Sequence, residues 1–464
     1  MNATAPPGWL ATTLGQIIGP RREMVAARSN GGRYLGLEHV EARTTKILGS
    51  GDSVNIKGSG AKFKAGDTLY ARLRPYLNKV CVPDFAGVAS GEFIILPAVE
   101  WLAPKFLMYF LNQPELVAFA NAKSTGTHRP RIKWDELSGY PVSFPPLAEQ
   151  RRIVTAIEEQ FSRIDAGGAA LLRARRNLQR MRAAVLQAAI TGRLVPQHPE
   201  DEGADVMLRR ADIMPLRDTN FPSLPRGWEW TRFGDLLLLL RNGIFVSRPT
   251  ADQKGVPILR ISAVRPLALD VDDIRYLPNG NKSKDLQPFF ITAEDLLFTR
   301  YSGNPEFVGA CAMVRRLPMP ILHPDKLIRA VVNKDVAEPA FLELAASGGY
   351  SRNYILLRRR TTAGQTGISG GDLKNMPVPL PPVAEQARIA QEVERQFSII
   401  HVLVRAVEDS LGRTASLRHG ILNVAFRGNL VPQDPADEPA EVLLDRVNAE
   451  RAVPVPAAGR RSRR

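Results

Sequence analysis

The sequence predicts a mixed α/β protein built as an internal repeat, in which two α/β blocks are each followed by a long helix. Three observations predict it: a phrase that occurs twice, a heptad pattern of apolar residues after each copy, and short β-rich runs before each copy. The phrase reads PPLAEQRRIV at 145–154 and PPVAEQARIA at 381–390. With 464 residues and a 44% hydrophobic composition, the chain has the length of roughly two to four ordinary domains.

The repeat extends well beyond this phrase. At a constant offset of 236 residues, 141–208 aligns with 377–444 without a gap. Upstream the similarity continues weakly at another offset, where AGDTLYAR (65–72) matches AEDLLFTR (293–300), so the blocks before the phrases differ by insertions. We therefore predict one unit written twice, each copy having a variable block followed by a conserved block.

The conserved block has the signals of a long helix of roughly 45 residues. A Pro-Pro pair sets the start, and Glu149 or Glu385 falls in the first turn, where the helix dipole favours an acid. Gly192 or Gly428 stands where a left-handed C-cap is expected.

Apolar residues recur every seven positions along both helices, which predicts a coiled-coil seam. In the second copy further apolar residues lie four positions after each of the first three members of the main series. In the first copy most of the corresponding positions are occupied by glycine or arginine. The pair Gly167 and Gly168 costs about 1 kcal/mol per glycine in a helix, so we expect either a close approach of another backbone or a bend. The main series are Ile157, Ile164, Leu171, Leu178 and Val185 in the first copy and Val393, Ile400, Val407, Thr414 and Ile421 in the second.

The variable blocks read as mixed α/β structure. GEFIILPAV (91–99), VPILRISAV (256–264) and GACAMVRRL (309–317) are expected strands, and 104–122 is expected to be helical. Cys81 and Cys311 lie far apart without metal-ligand spacing, and we expect both to be buried strand residues.

The charge indicates a polyanionic partner. The net charge is +15 and the isoelectric point is near 10, which favours nucleic acid over a membrane because no basic amphipathic helix with an aromatic face is evident. The sequence lacks a long apolar span and a signal-peptide core, so we expect a cytoplasmic protein without a membrane partner.

Signatures of catalysis are hard to find in the sequence. It contains neither a GxxxxGK[ST] phosphate loop nor a GxGxxG after a strand, and its six histidines form no metal-binding pattern. GNPEF (303–307) lacks the second proline and the aromatic residue of an amino-methyltransferase motif, so we expect a turn. Asp84 and Glu92 have nuclease-like spacing without the lysine that should follow. We predict a binding protein with no catalytic residues and no metal site.

The repeated PP-[LV]-AEQ-x-RI phrase, the GxL cap and the second P-x-GW-x-W start resemble the specificity subunit of type I restriction-modification enzymes over essentially the whole chain. The resemblance implies two target-recognition domains held apart by two antiparallel conserved helices. It also implies that each domain reads half of a bipartite site in double-stranded DNA. The domains differ throughout, so we expect an asymmetric site.

The resemblance further implies partner subunits that perform the chemistry. Two modification subunits would dock on the helices, and restriction subunits would translocate and cut DNA. No cofactor is expected on this chain, whereas S-adenosylmethionine, ATP and Mg²⁺ are expected on the partners. The implied segments are a first recognition domain (1–146), a first spacer helix (147–200), a linker with the second domain (201–382), a second spacer helix (383–450) and a basic disordered tail (451–464).

Two stretches in each recognition block are candidates for DNA contact, because they follow a predicted strand or precede the spacer helix and are rich in basic and polar residues. The candidates are Arg72, Arg74, Tyr76, Lys79, Lys123, Thr127, Arg129 and Arg131 in the first block and Arg300, Tyr301, Asn304, Arg358 and Gln365 in the second. The candidates for the spacer and for partner docking are Glu149, Gln150, Ile153, Phe161, Glu385, Gln386, Ile389 and Phe397.

Two other functions remain open on the sequence. A self-sufficient DNA methyltransferase or nuclease is disfavoured by the missing motifs. A coiled-coil scaffold without sequence-specific DNA binding is disfavoured because a scaffold has little use for a globular block before each coil.

Overall fold

The computed structural model describes residues 6–30, 32–246, 249–252, 254–277, 285–362 and 365–452. From residue 453 onward, the predicted basic tail lies outside the described residues. In the described ranges no helix combines the length and the hydropathy needed to cross a membrane. Within the same ranges no cluster of three His, Cys, Asp or Glu side chains is placed to hold a metal ion.

The first block combines short strands with short helices, as its alternating β-rich and helical runs predict. Its strands are β1 (Leu10–Thr13), β2 (Met24–Ala26), β3 (Arg33–Leu35), β4 (Gly51–Asp52), β5 (Ser59–Phe63), β6 (Thr68–Ala71), β7 (Val80–Cys81), β8 (Gly87–Ser90), β9 (Phe93–Leu96) and β10 (Pro141–Phe144). Its helices are α1 (Leu14–Ile17), α2 (Ala27–Asn30), α3 (Pro104–Phe110), α4 (Pro114–Ala122) and α5 (Trp134–Leu137).

Strands of the first block pair in three groups. The order of the largest sheet is β2-β5-β8-β3-β4, in which β3 and β8 run parallel and the other neighbours run antiparallel. A second sheet has the order β7-β6-β9, and every residue of β6 and β9 is buried. The first strand, β1, pairs with the last, β10, so the block closes on itself immediately before the long helix.

The second block follows a related plan with larger insertions. Its strands are β11 (Glu229–Arg232), β12 (Leu237–Asn242), β13 (Val256–Leu259), β14 (Val264–Arg265), β15 (Ala268–Leu269), β16 (Ile274–Leu277), β17 (Leu296–Thr299), β18 (Tyr301–Ser302), β19 (Cys311–Met313), β20 (Leu327–Val332), β21 (Arg360–Thr362), β22 (Gln365–Gly367) and β23 (Pro377–Leu380). Its helices are α7 (Ala204–Arg210), α8 (Pro339–Ser347), α9 (Gly349–Arg358) and α10 (Gly370–Lys374).

The second block also joins its first strand to its last. Strand β11 pairs antiparallel with β23, as β1 pairs with β10. The main sheet has the order β12-β20-β17-β19, and small sheets pair β13 with β16, β14 with β15, and β18 with β22 and β21.

Sequence expectations for these blocks are met except in one helix and one strand. The run 256–264, expected as a strand, is divided into β13 and β14 by a 3₁₀ turn at Ile261–Ala263. Cys81 and Cys311 are free, buried strand residues, and the 303–307 motif forms a tight turn whose 3₁₀ segment spans Pro305–Phe307. The stretch 104–122, expected as one helical segment, forms two helices. Pro114 starts the second one, since proline cannot supply the N–H that would continue the first helix.

Two long helices follow the repeated phrases. Helix α6 spans Leu147–Ala189 (43 residues) and helix α11 spans Val383–Phe426 (44 residues); helix α12 (Ala440–Ala452) follows near the end of the described chain. Gly192 and Gly428 have φ angles of 66° and 76°, the left-handed conformation that their position after each helix predicted.

The glycine pair of α6 does not mark a close approach. A Cβ atom built on Gly167 or Gly168 would meet no heavy atom within 4 Å, and the helix continues through both residues. Of our two alternatives, the close approach of another backbone is therefore wrong, and a bend in the helix stays a prediction.

Burial along α11 follows the heptad pattern. Val393 and Ile400 are 3% exposed, and Val407, Thr414 and Ile421 are half-buried. The neighbouring Val402 on another face is 63% exposed. The seven-residue period therefore corresponds to a real difference in packing.

The chain divides into two compact units that cut across both long helices. One unit, called unit 1, contains residues up to Leu172 and from Glu408 onward; the other, unit 2, contains Arg173–Val407. The core of each unit therefore combines one α/β block with the beginning of one long helix and the end of the other.

Candidate nucleic-acid interface

The two candidate DNA-contact stretches of the first block lie side by side in unit 1. The backbone N–H of Arg74 donates to the carbonyl of Pro130 at 2.7 Å, and that of Ile132 donates to the carbonyl of Arg72 at 3.0 Å. Between these bonds, Leu73 and Arg131 form an antiparallel bridge. The loop after β6 and the loop before α5 therefore form one surface element.

The two candidate stretches of the second block meet in the same way in unit 2. Strand β18 pairs with β22, with Tyr301 opposite Gly367 and Ser302 opposite Thr366. The backbone N–H of Ile368 donates to the carbonyl of Arg300 at 2.9 Å. Strand β21 extends this small sheet on the far side of β22.

These two contacts are equivalent in the repeat. Ile132 and Ile368 are separated by the 236-residue offset of the conserved blocks, and each donates to the arginine that follows a matching strand, Arg72 after β6 and Arg300 after β17. The backbone arrangement is thus shared, whereas the side chains on it differ: Leu73 occupies the position of Tyr301, and Arg131 that of Gly367.

Most candidate side chains of the first block face solvent. A 3₁₀ turn at Pro75–Leu77 carries Tyr76, which is 39% exposed. The residues on either side of the turn, Arg74 and Asn78, have φ angles of 51° and 43°, which few non-glycine residues adopt. The exposed candidates of this block are Arg72, Arg74, Tyr76, Lys123, Thr127 and Arg129.

Glu92 orients two of the arginines. Its carboxylate accepts hydrogen bonds from Nε of Arg131 at 2.9 and 3.1 Å and from Nη2 at 2.5 Å, and it lies 3.4 Å from Nε of Arg72. The hydrogen bonds from Arg131, with a smaller contribution from Arg72, hold the pKa of Glu92 below its usual value. Both guanidinium groups are still partly exposed, so Glu92 fixes their direction and leaves donors available to an anion.

Lys79 has a different environment. Its ammonium group donates to the carbonyl oxygen of Leu37 at 2.7 Å, and the residue is half-buried. This contact ties two loops of unit 1 together, so Lys79 has a structural task that the sequence did not reveal.

In the second block, Arg300 and Tyr301 form a stacked pair. The guanidinium carbon of Arg300 lies 4.8 Å from the centre of the Tyr301 ring, and Nη1 donates to the carbonyl of Asp325 at 3.3 Å. Asn304 accepts a hydrogen bond from the backbone N–H of Glu306 at 3.0 Å, which caps the 3₁₀ turn there. Arg358 lies over the Tyr354 ring at 5.0 Å, and both Arg358 and Gln365 are exposed.

A polar cavity of about 230 Å³ lies beside this pair. Tyr301 and Gln365 line it together with Ser262, Arg265 and Thr299. Sequence reasoning missed Ser262 and Arg265, because Ser262 falls within the run 256–264, expected as a strand, and Arg265 directly follows it. The structure interrupts that run with a 3₁₀ turn at Ile261–Ala263 and places the Arg265 guanidinium 4.7 Å from the Phe307 ring.

The start of α6 is fastened to the first block by two buried polar side chains. Glu149 is 1% exposed and accepts hydrogen bonds from Nε1 of Trp9 at 2.9 Å and from Nε2 of Gln433 at 3.3 Å. Gln150 is fully buried; it accepts from the backbone N–H of Ala103 at 2.9 Å and donates to two backbone carbonyls.

The start of α11 repeats this arrangement in unit 2. Glu385 accepts from Nε1 of Trp228 at 3.1 Å, and Gln386 accepts from the backbone N–H of Glu338 at 2.7 Å. Burial raises the pKa of both Glu149 and Glu385, since removal from water disfavours the charged carboxylate.

A salt bridge in each unit ties the helix start to the segment that follows the other long helix. In unit 1, Arg152 donates to Asp437 at 2.7 and 3.1 Å. In unit 2, Arg388 donates to Asp201, and this pairing lowers the pKa of the Asp201 carboxyl. The segment after α6 thus docks on the start of α11, and the segment after α11 docks on the start of α6.

The long helices also contact each other within each unit. In unit 1, the Arg418 guanidinium of α11 lies 4.5 Å from the Phe161 ring of α6, and Arg418 pairs with Asp165. In unit 2, the Arg182 guanidinium of α6 lies 4.7 Å from the Phe397 ring of α11. In each unit the end of one helix therefore lies beside the first half of the other.

Of the residues suggested for partner docking, six are enclosed by their own unit. Glu149, Gln150, Ile153, Glu385, Gln386 and Ile389 are each at most 1% exposed. A partner protein cannot contact these side chains while the unit is folded. In each unit they instead attach the α/β block to the start of the long helix that follows it. Phe161 and Phe397 are half-buried beneath arginines of the opposite helix.

Comparison with curated proteins finds relatives along most of the chain. It is 33% identical over 410 residues to the EcoKI specificity subunit of Escherichia coli K12, a type I restriction enzyme; the match covers 86% of this chain and 81% of the relative. It is 26% identical over 414 residues to the StySPI specificity subunit of Salmonella potsdam, covering 87% of this chain and 81% of that one.

Solved structures share the fold. One is a chain from a study of complex assembly and conformational transition of the type I R-M system, with a TM-score of 0.70 at 20% identity, covering 92% of this chain and all of the other. Another is the HsdS subunit of Thermoanaerobacter tengcongensis, with a TM-score of 0.59 at 21% identity, covering 92% and 99%. No protein-family model matches the chain. Because the identity to the EcoKI subunit exceeds 30% over most of both chains, this chain belongs to the family of type I restriction enzyme specificity subunits.

Proposed function

We propose that this chain recognises an asymmetric, bipartite site in double-stranded DNA and directs methyltransferase subunits to it. Each α/β block reads one half of the site, and the two long helices set the distance between the halves. The chain contributes no catalytic residues in this proposal. S-adenosylmethionine, ATP and Mg²⁺ act on the modification and restriction subunits that assemble with it in the cytoplasm.

The observation that carries the proposal is the equivalent pairing of candidate segments in the two units. The bond from Ile132 to Arg72 and the bond from Ile368 to Arg300 create the same backbone platform twice. The side chains on the platforms differ, since one carries the Arg72–Glu92–Arg131 cluster and the other carries the stacked Arg300–Tyr301 pair. A shared scaffold with different hydrogen-bonding groups suits the reading of two different half-sites.

The chemistry of the two platforms supports DNA as the ligand. Arginine can bind guanine bidentately, and asparagine or glutamine can bind adenine in the major groove. Exposed Arg74 and Arg129 in unit 1 and Arg358 in unit 2 suit phosphate contacts, which give affinity and register. Joining two such readers in one chain makes the second contact intramolecular, so affinity rises only when both half-sites have the right spacing.

A stripe on α11 is suited to docking a methyltransferase subunit. Ile399, Val402 and Leu403 are 47%, 63% and 45% exposed, and their i, i+3, i+4 spacing places them on one face of the helix. A double change, Val402→Asp with Leu403→Asp, should abolish co-purification of the methyltransferase subunit. Leu238→Asp, at a 69% exposed position of β12, is the matched control and should leave co-purification intact.

The decisive experiment is to co-express the chain with its methyltransferase subunits and to map methylated adenines across a genome. We expect one split motif with two unlike halves. Arg72→Ala should relax or abolish selection of one half, and Arg300→Ala should do so for the other half.

The outcomes separate the alternatives. Methylation by the purified chain alone would show that it is itself an enzyme, and DNA binding that is indifferent to sequence and to the methylating partner would indicate a scaffold. If neither alanine variant changes the methylated motif, Arg72 and Arg300 do not contribute to sequence recognition.

A further inference from the structure

The second half of α6 carries an unusual concentration of arginine. Five arginines fall within ten residues, and the sequence contains no aspartate or glutamate between Asp165 and Glu200. All five are exposed: Arg173, Arg175, Arg176, Arg180 and Arg182.

Three of these arginines form one face that points away from the packed side of the helix. At about 100° per residue, Arg173, Arg176 and Arg180 fall within roughly 60° of one another. Leu178 and Val185, which pack into the core of unit 2, lie on the opposite side. We call Arg173, Arg176 and Arg180 the arginine face.

The arginine face has no protein partner in the described part of the chain. None of its three side chains makes an ion pair, hydrogen bond or ring contact there, whereas the neighbouring Arg182 stacks on Phe397. Ala169, Asn177 and Ala184 also lie on or beside this face and leave the guanidinium groups open. Leu172, which is 44% exposed, is a large apolar side chain at the edge of the face.

The repeat shows that the long helix does not require this face. At the 236-residue offset, Arg173, Arg176 and Arg180 correspond to Asp409, Gly412 and Ser416 in α11. These three charges are thus specific to α6, although both helices carry the same main heptad series.

We propose that the arginine face binds backbone phosphates of the DNA outside the bases that are read. The inference rests on the proposed function, because it takes duplex DNA as the ligand. Seven residues of helix extend about 10 Å, which is about three times the 3.4 Å rise between phosphates of one strand. Arginine suits this task because its planar group donates two parallel hydrogen bonds to a phosphate.

DNA fits this face better than an acidic protein does. Stable protein interfaces are centred on clusters of large apolar or aromatic residues. The arginine face has small or polar side chains among its charges, with the apolar Leu172 only at its edge. The exposed apolar stripe suited to a protein partner, Ile399, Val402 and Leu403, lies on the other long helix.

The test compares two charge-matched triple variants of the full-length chain, co-purified with its methyltransferase subunits. One is Arg173→Gln, Arg176→Gln and Arg180→Gln; the control is Arg405→Gln, Arg413→Gln and Arg427→Gln, three exposed arginines along and just after α11. Glutamine keeps helix propensity close to that of arginine. Affinity for a fluorescent duplex without the recognised motif is measured from 50 to 200 mM KCl, and the same preparations are used to map methylated adenines.

We expect the arginine-face variant to lower the slope of log affinity against log salt by about two to three, at roughly 0.9 per lost phosphate contact. The control should change the slope by less than one, and both variants should keep the wild-type methylation motif. Equal slope changes in the two variants, or no change in either, would overturn the proposal. Loss of the methyltransferase subunit from the arginine-face variant with an unchanged slope would assign the face to a protein and also overturn it. A missing motif in the wild type would instead refute the proposed function.

Discussion

Replacing Trp9 by phenylalanine should expose the energetic role of the buried Glu149 carboxylate. Trp9 donates to Glu149 at 2.9 Å, and the carboxylate is 1% exposed. The variant keeps an aromatic ring at this position but leaves one carboxylate oxygen without its main donor. The weaker bond from Gln433 at 3.3 Å is what remains.

The expected loss is the sum of two effects. A hydrogen bond to a buried charged group contributes about 1.5–3 kcal/mol, and trimming an indole to a phenyl ring adds about 1 kcal/mol from the small cavity. The matched control is Trp101→Phe in the same unit, because the Trp101 indole donates at 3.0 Å to the carbonyl of Ile17, which does not titrate. We expect Trp9→Phe to cost about 2.5–4 kcal/mol and the control about 1.5–2.5 kcal/mol.

The difference between the two variants should depend on pH. Burial already raises the pKa of Glu149, and loss of the Trp9 donor raises it further. A carboxyl with a raised folded-state pKa favours folding while protonated, and that contribution disappears as pH rises through the folded pKa. The cost of Trp9→Phe should therefore be largest near pH 7 and should shrink as the pH falls toward 5, whereas the cost of the control should stay constant.

Urea unfolding followed by far-UV circular dichroism at pH 7.5 and pH 5.5 measures both costs, with hydrogen exchange assigning each loss to unit 1. If the two variants lose equal stability with the same pH dependence, Glu149 is not held as a buried carboxylate by Trp9, and the reasoning is refuted.

Three further predictions concern other parts of the chain. Gly167→Ala and Gly168→Ala should each stabilise the protein by about 0.5–1 kcal/mol in thermal or urea unfolding, because both sites are helical with open space for a Cβ atom; destabilisation would indicate an unrecognised contact. Glu92→Gln should loosen the arginines that it orients and relax one half of the methylated motif, and methylome mapping that finds both halves unchanged would count against that role. Asp201→Asn should weaken the contact with Arg388 and destabilise the fold near neutral pH. The loss of stability should vanish as pH falls through the lowered Asp201 pKa, because the paired carboxylate stabilises the fold only while it is charged. Unfolding curves from pH 7 to 3 measure this loss, and a difference that does not depend on pH would contradict the prediction.

Local signals in the sequence predict the long helices well. The Pro-Pro pair before each helix and the glycine after it mark the helix ends, whose conformation depends on only a few neighbouring residues. Gly192 and Gly428 have the expected positive φ. The heptad series likewise predicts which α11 positions are buried, because a helix converts spacing directly into a face.

Pairing between distant segments is what the sequence could not supply. The bridge between Leu73 and Arg131 and the pairing of β18 with β22 depend on tertiary closure, although both candidate segments could be found separately. Glu149 shows the same limit: its position in the first helical turn suggested a dipole effect, and its partner Trp9 lies 140 residues away. Arg265 was missed because the strand-like run before it gives no sign of the turn at Ile261–Ala263 that precedes Arg265 at the cavity.

The division of the long helices between the units has a consequence for synthesis on the ribosome. Unit 2 is one continuous segment, Arg173–Val407, and its core can close once that segment has emerged. The core of unit 1 includes Leu422, Phe426 and Leu443, so its N-terminal block must wait for the last part of the chain. Domains usually fold in the order in which they are made. Here we expect the later block to complete its core first and the earlier one to wait with an open core, which predicts that unit 1 is the part more exposed to aggregation during synthesis.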